Sequence, residues 1–258
     1  MKKNILIIFS VFFFISSCFF GFFYFKKEYN YIENDFENNI YHKDIKKCDI
    51  SNAKNMSKEE ISNFFMNYYL KKNPKQIPLL ITSISNENLI DEHNLYSSAT
   101  FLSEIFKQNP NKISQWVSID LCELEVLSSD AQDLVILGLW ISDSDIGKIV
   151  LNNLLNNNQL NKKNYISNLL NHPLPNNLEK EIPQNPEDID ILWAYFFATG
   201  NESYVKRIIE ISKMTEKDFV SSNNNSALAM AIIEAAKWSL DSVAKNHSKV
   251  KEILKKVN

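Results

Sequence analysis

Apolar residues recur along this chain at the three- and four-residue intervals of a single helix face, and one such pattern occurs twice. Phe65, Met66, Tyr69, Leu70, Lys71, Asn73, Pro74, Ile77, Leu80 and Ile81 return about 36 residues later as Phe101, Leu102, Ile105, Phe106, Lys107, Asn109, Pro110, Ile113, Trp116 and Val117. Each copy predicts a helix, a tight break at Asn-Pro and a second helix. Asn suits the cap because its side chain accepts a hydrogen bond from a free N–H of the first turn. Pro suits the first helical position because its missing donor has no partner there. One hairpin buries only part of its apolar surface, so stacked hairpins need neighbours to complete a core.

The same reading extends in both directions. Ser57-Lys58-Glu59-Glu60 is a capping-box sequence that opens a helix with Ile61, Phe64, Phe65, Tyr68 and Tyr69 on one face. After Leu121 the exact spacing fades. Helices are predicted over 131–141 and 146–155, joined by a turn and cap at Ser142-Asp143-Ser144-Asp145, with a short helix near 165–170. Residues 172–186 hold four of the seven prolines and mark a linker. Beyond it, Ile189, Leu192, Trp193, Phe196 and Phe197 form the cleanest stripe in the chain, and Ala198-Thr199-Gly200-Asn201 stops it. Helices over 204–211, 226–245 and 248–257 follow. Ala227, Ala229, Ala231, Ala235 and Ala236 suit a close helix approach, and Trp116, Trp140, Trp193 and Trp238 are expected as core anchors. The body is therefore read as all-α, with hairpin repeats over 57–171, a Pro-rich linker over 172–186 and C-terminal hairpins over 187–258.

Ahead of this body, Lys2 and Lys3 precede an apolar run from Ile5 to Phe25 that Lys26 and Lys27 close. Residues 1–25 thus form an export segment, and two chemistries fit it. A run of about 20 apolar residues spans a bilayer as an uncleaved anchor. Alternatively, Ile15-Ser16-Ser17-Cys18 resembles a bacterial lipoprotein signal, which implies lipidation at Cys18. In both, the membrane is contacted through residues 5–25 and the basic end stays in the cytoplasm. The body then faces the outer side of the inner membrane, the periplasm of a Gram-negative cell. Residues 26–56 read as a polar connector with scattered aromatics, Tyr29, Tyr31, Phe36 and Tyr41.

Composition narrows the function classes. A chain of 258 residues that is 45% hydrophobic is folded, and four glycines, Gly21, Gly138, Gly147 and Gly200, are too few for strand-rich folds or phosphate-cradling loops. The net charge is −3; without Lys2 and Lys3, 26 basic residues face 31 acidic ones, which argues against a nucleic-acid partner.

Candidate chemistry is sparse. His42, His93, His172 and His247 match no zinc spacing, and Asp91-Glu92-His93 and Asp143-x-Asp145 read as a solvated loop and a helix cap. Ser203-x-x-Lys206 and Ser248-x-x-Lys251 match a penicillin-interacting pattern without its Lys-Thr-Gly companion. Glu202-Ser203 resembles the catalytic pair of lytic transglycosylases without the Gly-rich segment that follows it there. Cys48 and Cys122 can pair in an oxidising compartment if the connector folds back; otherwise Cys122 is a buried thiol. No catalytic, cofactor or metal residue is assigned.

The hairpin layout resembles the tetratricopeptide-like class of right-handed helical-hairpin solenoids, with Leu137-Gly138 echoing that family's Leu-Gly pair at a longer period. The stretch Leu192 to Glu202 is similar to segments of exported, membrane-anchored bacterial proteins. The resemblance implies an irregular hairpin solenoid acting as a protein-binding adaptor or scaffold in the cell envelope, without a small-molecule cofactor. An enzyme acting on envelope polymers through acids such as Glu202 or Asp143, and a structural lipoprotein bound to the cell wall, are the alternatives.

Overall fold

A computed structural model describes residues 55–117, 124–156, 160–175, 178–222 and 226–257. The expected anchor, the connector through residue 54, His42 and the cysteines Cys18, Cys48 and Cys122 lie outside these residues. Among them the protein is all-α. The helices are α1 (Lys58–Asn67), α2 (Ile77–Asn86), α3 (Leu95–Gln108), α4 (Pro110–Gln115), α5 (Ser129–Ile141), α6 (Asp145–Asn156), α7 (Lys163–Asn171), α8 (Glu187–Thr199), α9 (Glu202–Ser212), α10 (Ser226–Asn246) and α11 (Ser248–Val257). No helix among the described residues is long and apolar enough to cross a membrane.

The predicted cap at the start of α1 and the predicted stop at the end of α8 both form. Ser57 Oγ accepts the Glu60 N–H at 3.2 Å while the Glu60 carboxylate accepts the Ser57 N–H at 2.7 Å, closing the capping box that starts α1. Gly200 ends α8 in the left-handed region at φ 76° and donates its N–H to the Phe196 carbonyl. The two Asn-Pro breaks also form, but their asparagines do something other than predicted. Pro74 and Pro110 open their helical turns, and neither Asn73 nor Asn109 makes a side-chain cap. Asn109 Nδ2 instead donates back to the Ile105 carbonyl at 2.9 Å, and its amide is hydrogen-bonded to the Tyr68 hydroxyl. The break is so short that one amide can serve either helix. Closing the free carbonyl end of α3 wins because Tyr68 fixes the amide there.

α3 is the centre of the body, sandwiched between α5 and α8. Its small residues Ser97, Ser98, Ala99, Thr100 and Ser103 are all buried and permit approach from two sides. A Cβ at Gly138 of α5 would stand 3.3 Å from the Ala99 carbonyl oxygen and 3.4 Å from Leu102, so the lone Leu-Gly pair marks the α3–α5 contact. The hydroxyls of Ser97, Thr100 and Ser103 donate to carbonyls three or four residues back, so burying them leaves no orphaned donor.

On the other side of α3, α8 buries Trp193, Phe196 and Phe197 and also meets α1, the 3₁₀ turn Tyr68–Leu70, α9 and α10. Hairpins in a one-dimensional array touch only their sequence neighbours. The α3–α8 contact skips α4, α5, α6 and α7 and lays the carboxy-terminal helices against the first two hairpins. Residues 178–186 run beside α9: Leu178 is buried, Ser203 Oγ donates to Glu179 at 2.6 Å, and Arg207 Nη2 donates to the Glu181 carbonyl at 2.8 Å.

The tryptophans divide. Trp116 and Trp193 are core residues and Trp140 is half-buried, but Trp238 is 42% exposed, against the expectation of a core anchor. On α10 the inward stripe is Ala229, Ile232, Ile233, Ala236, Leu240 and Val243. Trp238 lies two residues past Ala236, about 200° around the helix, and so points outward. Of the expected small residues, Ala227 is turned out, Ala229 and Ala236 are buried at the contact, and Ala231 and Ala235 are half-buried beside it.

Asp190 of α8 is buried. Burial pushes its carboxyl well above the ordinary range, with Glu187 adding to the effect. A raised folded-state value means that folding favours the protonated acid, so this residue's contribution to stability falls as pH rises from about 4 through the folded value. Asp190→Leu is expected to stabilise the body by roughly 1–3 kcal/mol at pH 7 and much less at pH 4, measured by urea unfolding at both pH values. A loss of stability at pH 7 would mean that the carboxylate has a partner.

Candidate functional site

The described surface carries a groove of about 390 Å³ between α1 and α2. Its floor is apolar: Met56 and Tyr68 are buried, and Phe64 and Leu79 half-buried. Amides line its rim, Asn55, Asn63, Asn67 and Gln76, and its charged groups are Glu60 at one end and Lys71 at the other. Helical spacing puts Glu60, Asn63, Phe64 and Asn67 on one face of α1, and the 3₁₀ turn Tyr68–Leu70 brings Tyr68 and Lys71 to the same groove. Phe64 packs on Tyr68 with ring centroids 5.3 Å apart, and Phe65 on Phe101 of α3 at 4.4 Å, which fixes α1 against the core. At the amino-terminal end, the Met56 N–H donates to Ser83 Oγ at 2.9 Å and Asn86 Nδ2 donates to Asn55 Oδ1 at 3.2 Å, so the entering chain is pinned to α2.

Burial raises the Tyr68 phenol to about 12, opposed in part by its bond to Asn109, so it stays a neutral hydroxyl at physiological pH. The Glu60 carboxylate is committed to the capping box. Lys71 has no carboxylate partner among the described residues, and neither have Lys72 and Lys75 nearby; Lys72 Nζ donates to Gln108 at 2.7 Å.

The acids and hydroxyls singled out in the sequence are scattered and structurally occupied. Asp91 Oδ1 accepts the N–H groups of His93 and Asn94 ahead of α3, and His93 is exposed beside Glu92. Asp143 sits at φ 49° and meets Lys148 Nζ at 2.6 Å, while the cap of α6 is the Ser144 hydroxyl, which accepts the Gly147 N–H at 3.0 Å. Glu202 is salt-bridged to Lys249 at 2.7 Å, and that lysine holds its carboxyl below the ordinary range. Its neighbour Ser203 turns away to Glu179, and Ser248 and Lys251 are exposed on α11. Asp188 and Asp190 are both buried, but two residues apart on a helix they face about 200° away from each other. Asp188 accepts the Gln184 and Asn185 N–H groups at the start of α8. Among the described residues no three His, Cys, Asp or Glu side chains gather as a metal would need.

His247 has a role that no motif announced. It is buried between α10 and α11 against Tyr69, Phe196 and Phe197. Its Nδ1 accepts the Val250 N–H at 3.4 Å, capping α11, which assigns the proton to Nε2, and that N–H donates to the Met66 carbonyl at 3.2 Å. Residues 181 positions apart are thereby joined. Burial lowers the imidazole below its usual range, so protonation favours unfolding: stability is complete above the unfolded value of about 6.5 and is lost as pH falls below it. The melting temperature should therefore drop between pH 7 and 5, and His247→Gln should flatten that slope while costing roughly 1–2 kcal/mol at pH 7. An unchanged slope would assign it to other groups.

No protein-family model, curated protein or solved structure matches the chain.

Proposed function

We propose that this is a membrane-tethered protein whose body, an irregular tetratricopeptide-like array of helical hairpins, faces the periplasm and binds another protein or peptide at the α1–α2 groove. The observation that carries this reading is the groove itself, an apolar aromatic floor with an amide rim. Side-chain amides offer a donor and an acceptor to a partner's backbone, and an apolar floor supplies the desolvation that a contact needs. The tether rests on Lys2, Lys3 and the apolar run to Phe25, as an uncleaved span or as a lipid on Cys18. The acids of the enzyme alternative support catalysis poorly. Lys249 keeps Glu202 ionised, which suits a salt bridge and not a proton donor, and Asp143 is half-exposed beside Lys148.

In-cell cross-linking of the full-length protein at native level, followed by mass spectrometry of what co-purifies, tests the proposal. The adaptor reading predicts a reproducible protein partner that survives Glu202→Ala and Asp143→Ala. Recovery of glycan fragments in place of a protein would overturn it in favour of action on envelope polymers.

A further inference from the structure

Between Ile61 and Asn86 the chain has no acidic residue and three lysines, Lys71, Lys72 and Lys75, so the far end of the first hairpin is positively charged in a protein whose net charge is −3. None of the three meets a carboxylate among the described residues, and Lys71 lines the groove at this end. At the opposite end stands Glu60. The groove is thus electrically polar as well as amphipathic, apolar beneath, amide-lined at the sides and cationic at one end.

We propose that the groove takes an extended peptide segment whose acidic or carboxy-terminal end lies at Lys71. This deepens the adaptor reading and rests on it. The dimensions agree: Glu60 to Asn67 rises about 10 Å along α1 at the helical 1.5 Å per residue, and the 3₁₀ turn beyond it carries the groove on to Lys71, a length of several residues of extended chain. The amide groups available for its backbone are those of Asn63 and Gln76, which make no side-chain hydrogen bond among the described residues, and Asn67 Oδ1, since Asn67 Nδ2 is given to the Asn63 carbonyl at 3.1 Å. Phe64 and Leu79 present apolar surface to alternate side chains of such a strand. Charge complementarity places the carboxylate, because a terminal carboxylate or an Asp or Glu side chain is attracted at Lys71 and repelled at Glu60.

The test is an array of random octapeptides attached by their amino ends, with free and with amidated carboxy-termini, probed with the full-length protein in detergent micelles. Retained peptides are expected to be enriched in a free carboxylate or an acidic side chain, with an apolar residue two positions before it. Lys71→Glu should reverse the charge preference toward Lys and Arg. Asn63→Ala with Asn67→Ala should reduce retention about tenfold, whereas Trp238→Ala, on the remote α10, should leave it unchanged. A preference that survives Lys71→Glu unaltered, or retention abolished by anionic phospholipid vesicles but unaffected by soluble peptide, would overturn the proposal. A protein partner recovered in cells by cross-linking, together with an array that ignores Lys71, would leave the adaptor standing and place its contact elsewhere. Failure in both would remove the two together.

Discussion

Trp193→Ala is expected to destabilise the body by roughly 3–5 kcal/mol, enough to unfold much of a marginally stable domain at 37 °C. Trp193 is 1% exposed and lies on α8 where that helix meets the core. Its indole stacks on Phe197 with centroids 5.6 Å apart and meets Phe196 edge-on at 6.1 Å. Truncation removes these contacts and leaves a cavity that neighbouring rings are too large to fill. The indole N–H has no hydrogen-bond partner among the described residues, so Trp193→Phe removes an unsatisfied donor along with volume. That variant should cost at least 1 kcal/mol less than alanine, in the range of about 1–3 kcal/mol. Urea unfolding of both variants measures the difference. An unchanged transition for Trp193→Ala would contradict its role as a core anchor.

Gly200→Ala should cost about 3 kcal/mol at a site with no other obvious importance, and Gly200→Val more. Two separate effects add. The residue sits at φ 76°, where an L side chain loses about 1–2 kcal/mol. A Cβ would also run into Cδ2 of the Tyr69 ring, and overpacking costs about 1–3 kcal/mol. Tyr69 cannot move aside freely, since it packs on Phe196 at 5.1 Å and His247 at 5.9 Å. A double-mutant cycle separates the effects: in a Tyr69→Leu background the alanine should cost only the backbone part. Equal costs in both backgrounds would assign the whole effect to φ. Gly200 thus ends α8 and also gives Tyr69 its place.

Local periodicity and punctuation made nearly every helix legible in advance. The Ser57 capping box, the Asn-Pro breaks and the Gly200 stop each act within four or five residues, so the sequence around them is sufficient. What depended on distant partners was hidden. The α3–α8 contact joins stripes that read alike, since a stripe of Ile, Trp and Phe identifies an inward face without naming what it faces. Asn109 could cap either of two helices, and Tyr68 decided. Trp238 reads as a core residue by its type, although its phase against Ala236 and Leu240 places it outside. His247 fits no motif because its partners, Met66, Tyr69 and Phe196, come from other units. The groove was half-legible: the absence of acids from Ile61 to Asn86 and the Asn63–Asn67 pair beside Phe64 and Tyr68 are plain in the sequence, but their convergence with Gln76 and Leu79 needs the fold.

The most direct test of the account is a photo-reactive residue introduced at Asn63, in the groove, or at Met230, exposed on α10, in the full-length protein in living cells. The account predicts a discrete protein adduct from the position 63 probe that is lost with Lys71→Glu, and none of comparable yield from position 230. An adduct from position 230 alone, or one at position 63 that carries glycan and no protein, would contradict it.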